Sequence, residues 1–411
     1  MRDRARRVIA ECRHIATMTE EPGRIMRRFL TPPVHEVHAH LRRRMEALGM
    51  AVRTDAVGNL RGLWKPTDRV RPRLIIGSHI DTVPDAGAYD GVLGVILALE
   101  WVRLAQEIAF PTAIEIIAFS EEEGVRFGVP FIGSRTVAGR FDASLLALKD
   151  AEGVSLEEAI RAFGLDPAGI PAAAVNPEGI AFIEIHIEQG PVLEKLQLPL
   201  AVVVGTKGVE RHLITFHGQE AHSGSTPMTA RRDALAAAAK LALEIRSIAG
   251  QHPDAVCTMG SVKTFPGIVT AVVGRCEATL DQRDLHPQIL GQMFREAQES
   301  SRRFAEEEKC TVEWSRIWNI EPIAFHPELL DLCEQSILEV SGASHRMPSG
   351  PLHDAAEVSR AGIPTVMLFV QSLRGISHNK IEDTREDHLA LSVQALDRLA
   401  SKTASWIVNH A

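Results

Sequence analysis

Four short segments place imidazoles and carboxylates where strands end, and each could hold a cation or move a proton. The first runs Gly77-Ser78-His79-Ile80-Asp81-Thr82 and is followed by Tyr89-Asp90-Gly91. A histidine at a strand end, a carboxylate two residues on that can orient its ring, and an aspartate at a helix start offer one metal ligand, its support and a bridge between two metals. The second, Ser120-Glu121-Glu122-Glu123-Gly124, sets three adjacent carboxylates directly after an apolar strand. Such neighbours repel one another and call for a cation, although an acidic helix N-terminus favoured by the helix dipole is the bland alternative. The third is the polar face of His186-Ile187-Glu188-Gln189-Gly190-Pro191, and the fourth is Gly375-Ile376-Ser377-His378. A lone His-x-Asp is usually no ligand. Histidines with shared carboxylates from four strand ends form the imidazole and carboxylate mixture suited to zinc, manganese or cobalt.

These segments need a scaffold that gathers strand ends. Leu74-Ile75-Ile76-Gly77 reads as a short buried strand, Val92 to Gln106 as a largely apolar helix that Asp90 caps, and Ala113 to Phe119 as a second strand. This alternation predicts an α/β sheet with helices on both faces, whose ligands collect at loops leaving the carboxyl ends of strands. Residues 180–188 alternate strictly, with Ile183, Ile185 and Ile187 on one face and Glu184, His186 and Glu188 on the other, which predicts one core face and one pocket face. Upstream, Val34, Val37, Leu41, Met45 and Leu48 form one helical stripe over 33–48. His35, His38 and His40 lie mostly off it and are assigned to a solvated face, because His-Glu-Val-His lacks the four-residue histidine spacing of a helical zinc site.

After Val204 the texture changes. Arg211 to Phe216 reads as a strand, then come a Gly/Ser/Thr/Pro loop, an alanine-rich helix from Arg231 to Ile248, strands near Cys257–Val262 and Val272–Leu280, and a helix over Pro287–Glu307. This predicts an inserted α+β domain over 205–322, within a catalytic domain of 1–204 and 323–411 that closes with the strand Thr365–Val370. A chain of 411 residues has room for two cores. With 45 Lys and Arg against 53 Asp and Glu, well interspersed, nucleic acid is excluded as the main partner. No apolar run is long enough to span a bilayer, so no membrane partner is expected. The five scattered cysteines include no Cys-x-x-Cys pair, so a reducing cytoplasm is expected. The absence of a Gly-x-Gly-x-x-Gly loop after an early strand sets aside a nucleotide-binding dehydrogenase.

On these residues the chain resembles the N-carbamoyl-L-amino-acid hydrolase and allantoate amidohydrolase family, the hydantoinase/carbamoylase amidases, relatives of the two-zinc aminoacylases and carboxypeptidases. The resemblance runs over nearly the whole chain. It rests on SHIDTVPDAGAYDG, FSEEEGVRFG, HIEQGPVLE, AHSGSTPMTARRDA, ATLDQRD, the segment from Gly350 to Ala355, and GISHNKIEDT. HIEQGP is the most specific, because related peptidases generally carry a carboxylate where His186 stands.

The resemblance implies a mixed-sheet, di-metal peptidase-like catalytic domain with an inserted ferredoxin-like lid and dimerisation domain. It implies two divalent ions per subunit, zinc, manganese or cobalt. One would be held by His79, Asp90 and His186 and the other by Asp90, Glu123 and His378, with Asp81 supporting His79. Glu122 falls on the family's general base, which takes a proton from the attacking water and returns one to the leaving nitrogen. His222 matches the histidine that stabilises the tetrahedral oxyanion, in relatives from the partner subunit, which implies a functional homodimer. Arg283 matches the arginine that clamps a substrate carboxylate with its planar fork, the bland alternative being an ion pair with Asp281 or Asp284. Gln189, Thr270 and His353 fall at substrate-contacting positions.

Three departures bear on the substrate. Thr270 stands where the family usually carries Asn, Pro351-Leu352 replace Ala-Gly before His353, and the His222 loop reads Ala-His-Ser-Gly-Ser rather than Asn-His-Ala-Gly-Thr. None removes a ligand or Glu122. The expected reaction is hydrolysis of the carbon–nitrogen bond of an N-carbamoyl-L-amino acid to the amino acid, ammonia and carbon dioxide. Allantoate amidohydrolase and N-acyl amino acid hydrolase are the neighbouring alternatives. The alternative from another class is a metal- or solute-binding protein without turnover, and Glu122 counts against it, because a binder has no use for a proton shuttle.

Overall fold

The computed structural model describes residues 2–67, 73–108 and 110–410. The chain divides into two compact units, Met1–Val204 with Phe325–Ala411, and Gly205–Ala324. The sheet of the first unit runs in the order Ala51–Thr54, Leu60–Trp64, Ala113–Phe119, Arg73–His79, Ile180–Ile187, Thr365–Val370, Leu200–Thr206. Its centre is parallel: Arg73–His79 lies between Ala113–Phe119 and Ile180–Ile187, and the last pairs with Thr365–Val370. His79 stands opposite Phe119 and His186 opposite Phe369, so the carboxyl ends of these strands open on one edge.

Isoleucine and valine dominate these strands and are buried on both faces, as in a parallel sheet covered by helices on either side. That covering changes the reading of residues 180–188. All eight positions of Ile180–Ile187 are buried, so Glu184 and His186 are enclosed rather than lining an open pocket face. The helix Val92–Glu107 is apolar almost all round and lies in the core. It starts at Gly91, and the Asp90 side chain does not cap it. Gly91 takes φ +66°, and a Cβ there would fall 2.5 Å from the His79 ring, so glycine is required for the close approach.

The amphipathic helix expected over 33–48 spans Pro32–Ala47, after a first helix Arg2–Ile15, and buries Val34, Val37, Leu41 and Met45. His38 departs from its solvated assignment: it is 6% exposed and meets the Phe163 ring edge-on at 5.7 Å, while His35 stacks on the same ring at 3.7 Å. The phenylalanine following the capped helix Leu156–Ala162 covers that face, which the local pattern could not reveal.

The second unit is an antiparallel sheet ordered Val262–Phe265, Arg275–Asp284, Gly208–His217, Thr311–Ile320, with Val256–Thr258 also paired to Arg275–Asp284. The helices Ala234–Ala249 and Pro287–Glu307 share its core, which includes Phe216, Leu241, Ile245, Leu280, Leu290 and Met293. Asp233 caps the first of them by accepting from the N–H groups of Leu235 and Ala236.

Two carboxylates buried in the first unit away from its carboxyl edge are paired with arginines. Glu100, inside the apolar helix, accepts from Arg7 Nε at 3.2 Å and Nη2 at 2.8 Å. Arg61 and Glu115, 2% and 3% exposed, meet at 2.7 Å across neighbouring strands. Removing Glu115 would leave the buried Arg61 guanidinium with Asp55, 3.9 Å away, as its remaining carboxylate among the described residues, and would take from Arg73 its 2.7 Å contact. Glu115→Ala is therefore expected to lower unfolding free energy by about 3–5 kcal/mol, measured by denaturant titration. A loss below ~1 kcal/mol would show that the Arg61 charge finds other compensation.

Candidate metal centre and active site

Two imidazoles face each other at the carboxyl edge. His79 Nδ1 lies 3.0 Å from the Asp81 carbonyl and His186 Nδ1 lies 2.9 Å from the Ile187 carbonyl. A carbonyl only accepts, so both Nδ1 atoms carry protons and both Nε2 atoms are left to act as ligands. Those Nε2 atoms stand 3.3 Å apart, and Asp90 Oδ1 lies 3.6 Å from one and 3.3 Å from the other. The Gly91 N–H donates to His186 Nε2 at 3.2 Å, which marks that atom as a lone-pair site. Lone pairs converging in a buried place are stabilised by a proton or a cation between them.

A second group shares Asp90. His378 Nε2 lies 3.3 Å from Asp90 Oδ2 and 3.6 Å from Glu123 Oε1. The Gln189 amide nitrogen approaches Asp90 and His378 at 3.3 Å, so a donor fills the space between them. Gln189 and His378 both sit at positive φ, +58° and +52°, a conformation non-glycine residues hold only when their surroundings demand it. Ligand atoms fall within 4.8 Å of one another in three groups: His79, Asp90 and His186; Asp90, Glu123 and His378; and His79, Glu122 and Glu123. The donor set fits divalent ions, since it combines imidazole nitrogens with a shared carboxylate and the buried Glu123 Oε1 accepts no hydrogen bond.

The electrostatics point the same way. Burial, reinforced by Glu123, Asp354 and Asp81 and opposed by His79, drives the Glu122 carboxyl well above the usual range. Burial and Asp90 raise Glu123 to about 7. Burial alone would lower His79, yet Asp81, Asp90 and Glu122 raise it well above the usual histidine value. Burial takes His186 down to about 4. One proton on one of two facing imidazoles is how this carboxylate cluster gains positive charge in the ion-free chain, and a metal would take its place.

Asp81 meets the His79 ring through its backbone carbonyl at 3.0 Å rather than through the carboxylate expected from the sequence, which stands 3.6 Å away. Its carboxylate accepts the N–H groups of Glu122 and Glu123 at 3.1 Å and so ties the acidic loop to the first strand end. Glu188, counted with the polar face, instead accepts from Val192 at 2.6 Å and Leu193 at 3.1 Å and starts a short helix. His353 lies 1% exposed with its ring 4.5 Å from that of His186. Ser349 donates its single hydroxyl proton to the Pro351 carbonyl at 2.7 Å, so it must accept from His353 Nε2 at 3.0 Å. His353 Nδ1 is therefore a buried lone pair with no partner among the described residues. Sequence reasoning overlooked Arg27, whose buried guanidinium donates to the carbonyls of Ile80, Ile15 and Met18 beneath this loop. It also overlooked Ser377 and Glu382. No spacing rule points to these three, because their role is set by what folds against them.

His222, Thr270 and Arg283 belong to the second unit. His222 is exposed, and its Nδ1 accepts from Gly224 at 3.1 Å and Ser225 at 3.2 Å, so the proton sits on Nε2 and points away from the loop. The Thr270 carbonyl accepts from Ser223, which sets these two segments side by side. Arg283 is paired with Asp281, Nε to Oδ1 at 2.8 Å and Nη2 to Oδ2 at 3.3 Å, and Arg211 shares that aspartate at 2.9 Å.

A mixed sheet whose parallel centre gathers imidazoles and carboxylates at its carboxyl edge, with a glutamate beside them, defines a hydrolase of the metallopeptidase kind. The chain matches Peptidase family M20/M25/M40 over residues 75–402 and belongs to it. It is 34% identical to an N-carbamoyl-L-amino acid amidohydrolase of Geobacillus stearothermophilus, over 86% of this chain and 87% of that one. It is 32% identical to an allantoate amidohydrolase of Escherichia coli, over 91% and 92%. Among solved structures, a hydantoinase/carbamoylase family amidase from Burkholderia ambifaria superposes with a TM-score of 0.90 at 29% identity, covering 97% of both chains. Among the described residues no helix is long and apolar enough to cross a membrane.

Glu122 and Glu123 both lie within ligand distance of His79, so their roles must be separated by measurement. Glu122→Gln is expected to retain metal, by elemental analysis, while losing ~10²–10⁴-fold in turnover as a proton carrier. Glu123→Ala is expected to lower metal content. The opposite pattern would exchange the two assignments.

Proposed function

We propose that the chain hydrolyses N-carbamoyl-L-amino acids, releasing the amino acid, ammonia and carbon dioxide. The observation that carries this reading is the facing pair of Nε2 atoms on His79 and His186, closed by Asp90. Two divalent ions, zinc, manganese or cobalt, would be held by His79, Asp90 and His186 and by Asp90, Glu123 and His378, and would supply Lewis acidity and a nucleophile at neutral pH. Glu122 takes the proton that water sheds as it adds to the carbonyl carbon. It returns that proton to the nitrogen as the carbon–nitrogen bond breaks, and the remaining carbamic acid falls apart to ammonia and carbon dioxide. The Asp81 grip on the Glu122 N–H gives this base a rigid mount.

The N-substituent is read from His353. Its unpartnered Nδ1 calls for a substrate N–H, and a carbamoyl group offers an NH2 where formyl offers C–H and acetyl a methyl. Allantoate carries the same NH2 and is the neighbouring alternative; N-acyl amino acids do not. Arg283 is assigned to the substrate carboxylate, which would displace Asp281 from its fork, and His222 to the oxyanion through its Nε2–H. On this reading 205–324 is a ferredoxin-like lid and dimerisation domain, His222 serves the partner's site, and the enzyme is a cytoplasmic homodimer.

Chelation is expected to abolish ammonia release and added divalent metal to restore it. Over a panel of N-carbamoyl, N-formyl and N-acetyl L-amino acids plus allantoate, the carbamoyl compounds should lead the acyl ones by ~10-fold or more in kcat/KM, the worth of one buried hydrogen bond. A preference for acetyl substrates would overturn the His353 reading. Arg283→Lys should lower kcat/KM sharply, because an ammonium cannot make two parallel bonds. Amidating the substrate carboxylate should cost as much in the wild type and little more in the variant, since both changes remove one interaction. Additive losses would remove Arg283 from carboxylate recognition.

A further inference from the structure

Glu382 lies four residues beyond His378 and is 6% exposed. Its carboxylate reaches across to the other loop of the centre: Oε1 accepts the N–H groups of Tyr89 and Asp90, both at 3.1 Å. Oε2 accepts the Ser377 hydroxyl at 2.7 Å. The side chain lies directly over Gly87, where any Cβ would collide with the Glu382 carboxylate, so the path between the loops is kept clear by a glycine.

The Ser377 proton decides what this arrangement does. Ser377 Oγ is 2.7 Å from Glu382 Oε2 and 3.3 Å from Asp90 Oδ2, and a hydroxyl has one proton to give. It goes to Glu382 across the shorter distance. Asp90 Oδ2, the oxygen that faces His378, is thereby spared the Ser377 proton, although the Gln189 amide nitrogen still stands 3.3 Å from it. The backbone of Asp90 is pinned at the same time by Oε1.

We propose that Glu382 is a positioning residue of the metal centre, fixing Asp90 through its backbone and drawing the Ser377 proton away so that it does not compete at Asp90 Oδ2 with the ion at Glu123 and His378. This rests on the two-ion reading given above. The substitution Glu382→Gln isolates the second role. Its amide oxygen can still accept from Tyr89 and Asp90, while its NH2 donates to Ser377 Oγ and turns the Ser377 proton toward Asp90 Oδ2. Shape and burial are retained.

The test is a chelator-competed titration of metal-free protein with Zn²⁺, read as two binding steps, with no activity measurement needed. E382Q should weaken one step by roughly 10–100-fold, the usual cost of losing support behind a ligand, and leave the other unchanged. His378→Ala should abolish that same step. Adding S377A to E382Q removes the competing donor and should restore most of the lost affinity, whereas a structural defect would not be rescued by removing a second side chain. Thermal unfolding of the metal-free forms provides the control for folding. Wild-type steps retained in E382Q, equal loss at both steps, or no recovery in E382Q/S377A would overturn the inference alone. Wild-type protein that takes up no Zn²⁺ would overturn the two-ion reading and this inference with it.

Discussion

Asp90 holds a carboxylate, 1% exposed, among three imidazoles whose Nε2 atoms approach it at 3.3 to 3.6 Å. Its Oδ1 faces His79 and His186 and its Oδ2 faces His378, so one residue belongs to two ligand groups at once. A buried carboxylate is tolerable only with positive charge beside it, and contacts from His79, His378 and His186 hold the Asp90 carboxyl well below the usual range against the effect of burial. The cluster is thus charged by design of its packing. Elsewhere in the first unit, buried Glu115 and Glu100 are answered by arginines, whereas Glu122, Glu123 and Asp354 have none hydrogen-bonded to them among the described residues.

The sheet makes that concentration possible. Because the central strands are parallel, His79, the acidic loop after Phe119, His186 and the loop after Val370 all emerge on one edge. An antiparallel arrangement would have sent half of them to the opposite edge. The helix after Asp90 starts one residue later than an aspartate cap would require, which releases the carboxylate from the backbone and turns it toward the histidines.

Support behind the ligands is as specific as the ligands. Each ring of the facing pair is fixed by a carbonyl one or two residues away, Asp81 holds the two N–H groups of the acidic loop, and Glu382 holds the N–H of Asp90. The carbonyls hold the two rings directly, whereas Asp81 and Glu382 position Glu122, Glu123 and Asp90 through the peptides that carry them. The same logic commits the His353 Nε2–H to Ser349 and leaves a buried lone pair on its other nitrogen.

Residue type and strand position were legible in the sequence. The apolar runs ending at His79, Phe119 and Val370 marked buried strands, and the imidazoles and carboxylates just beyond them marked the chemistry, because both signals are local. Burial of Glu184 and His38 was not legible, since it depends on helices and a phenylalanine that arrive from elsewhere in the chain. Nor was the proton on each histidine nitrogen, which is decided by the carbonyl or hydroxyl folded against it. Glu382 shows the difference most clearly. By sequence it is a carboxylate in a polar loop, 292 residues from Asp90, and only the tertiary fold brings its oxygens to the Asp90 N–H. Local pattern sets what a side chain can donate or accept, and long-range packing sets which partner it meets.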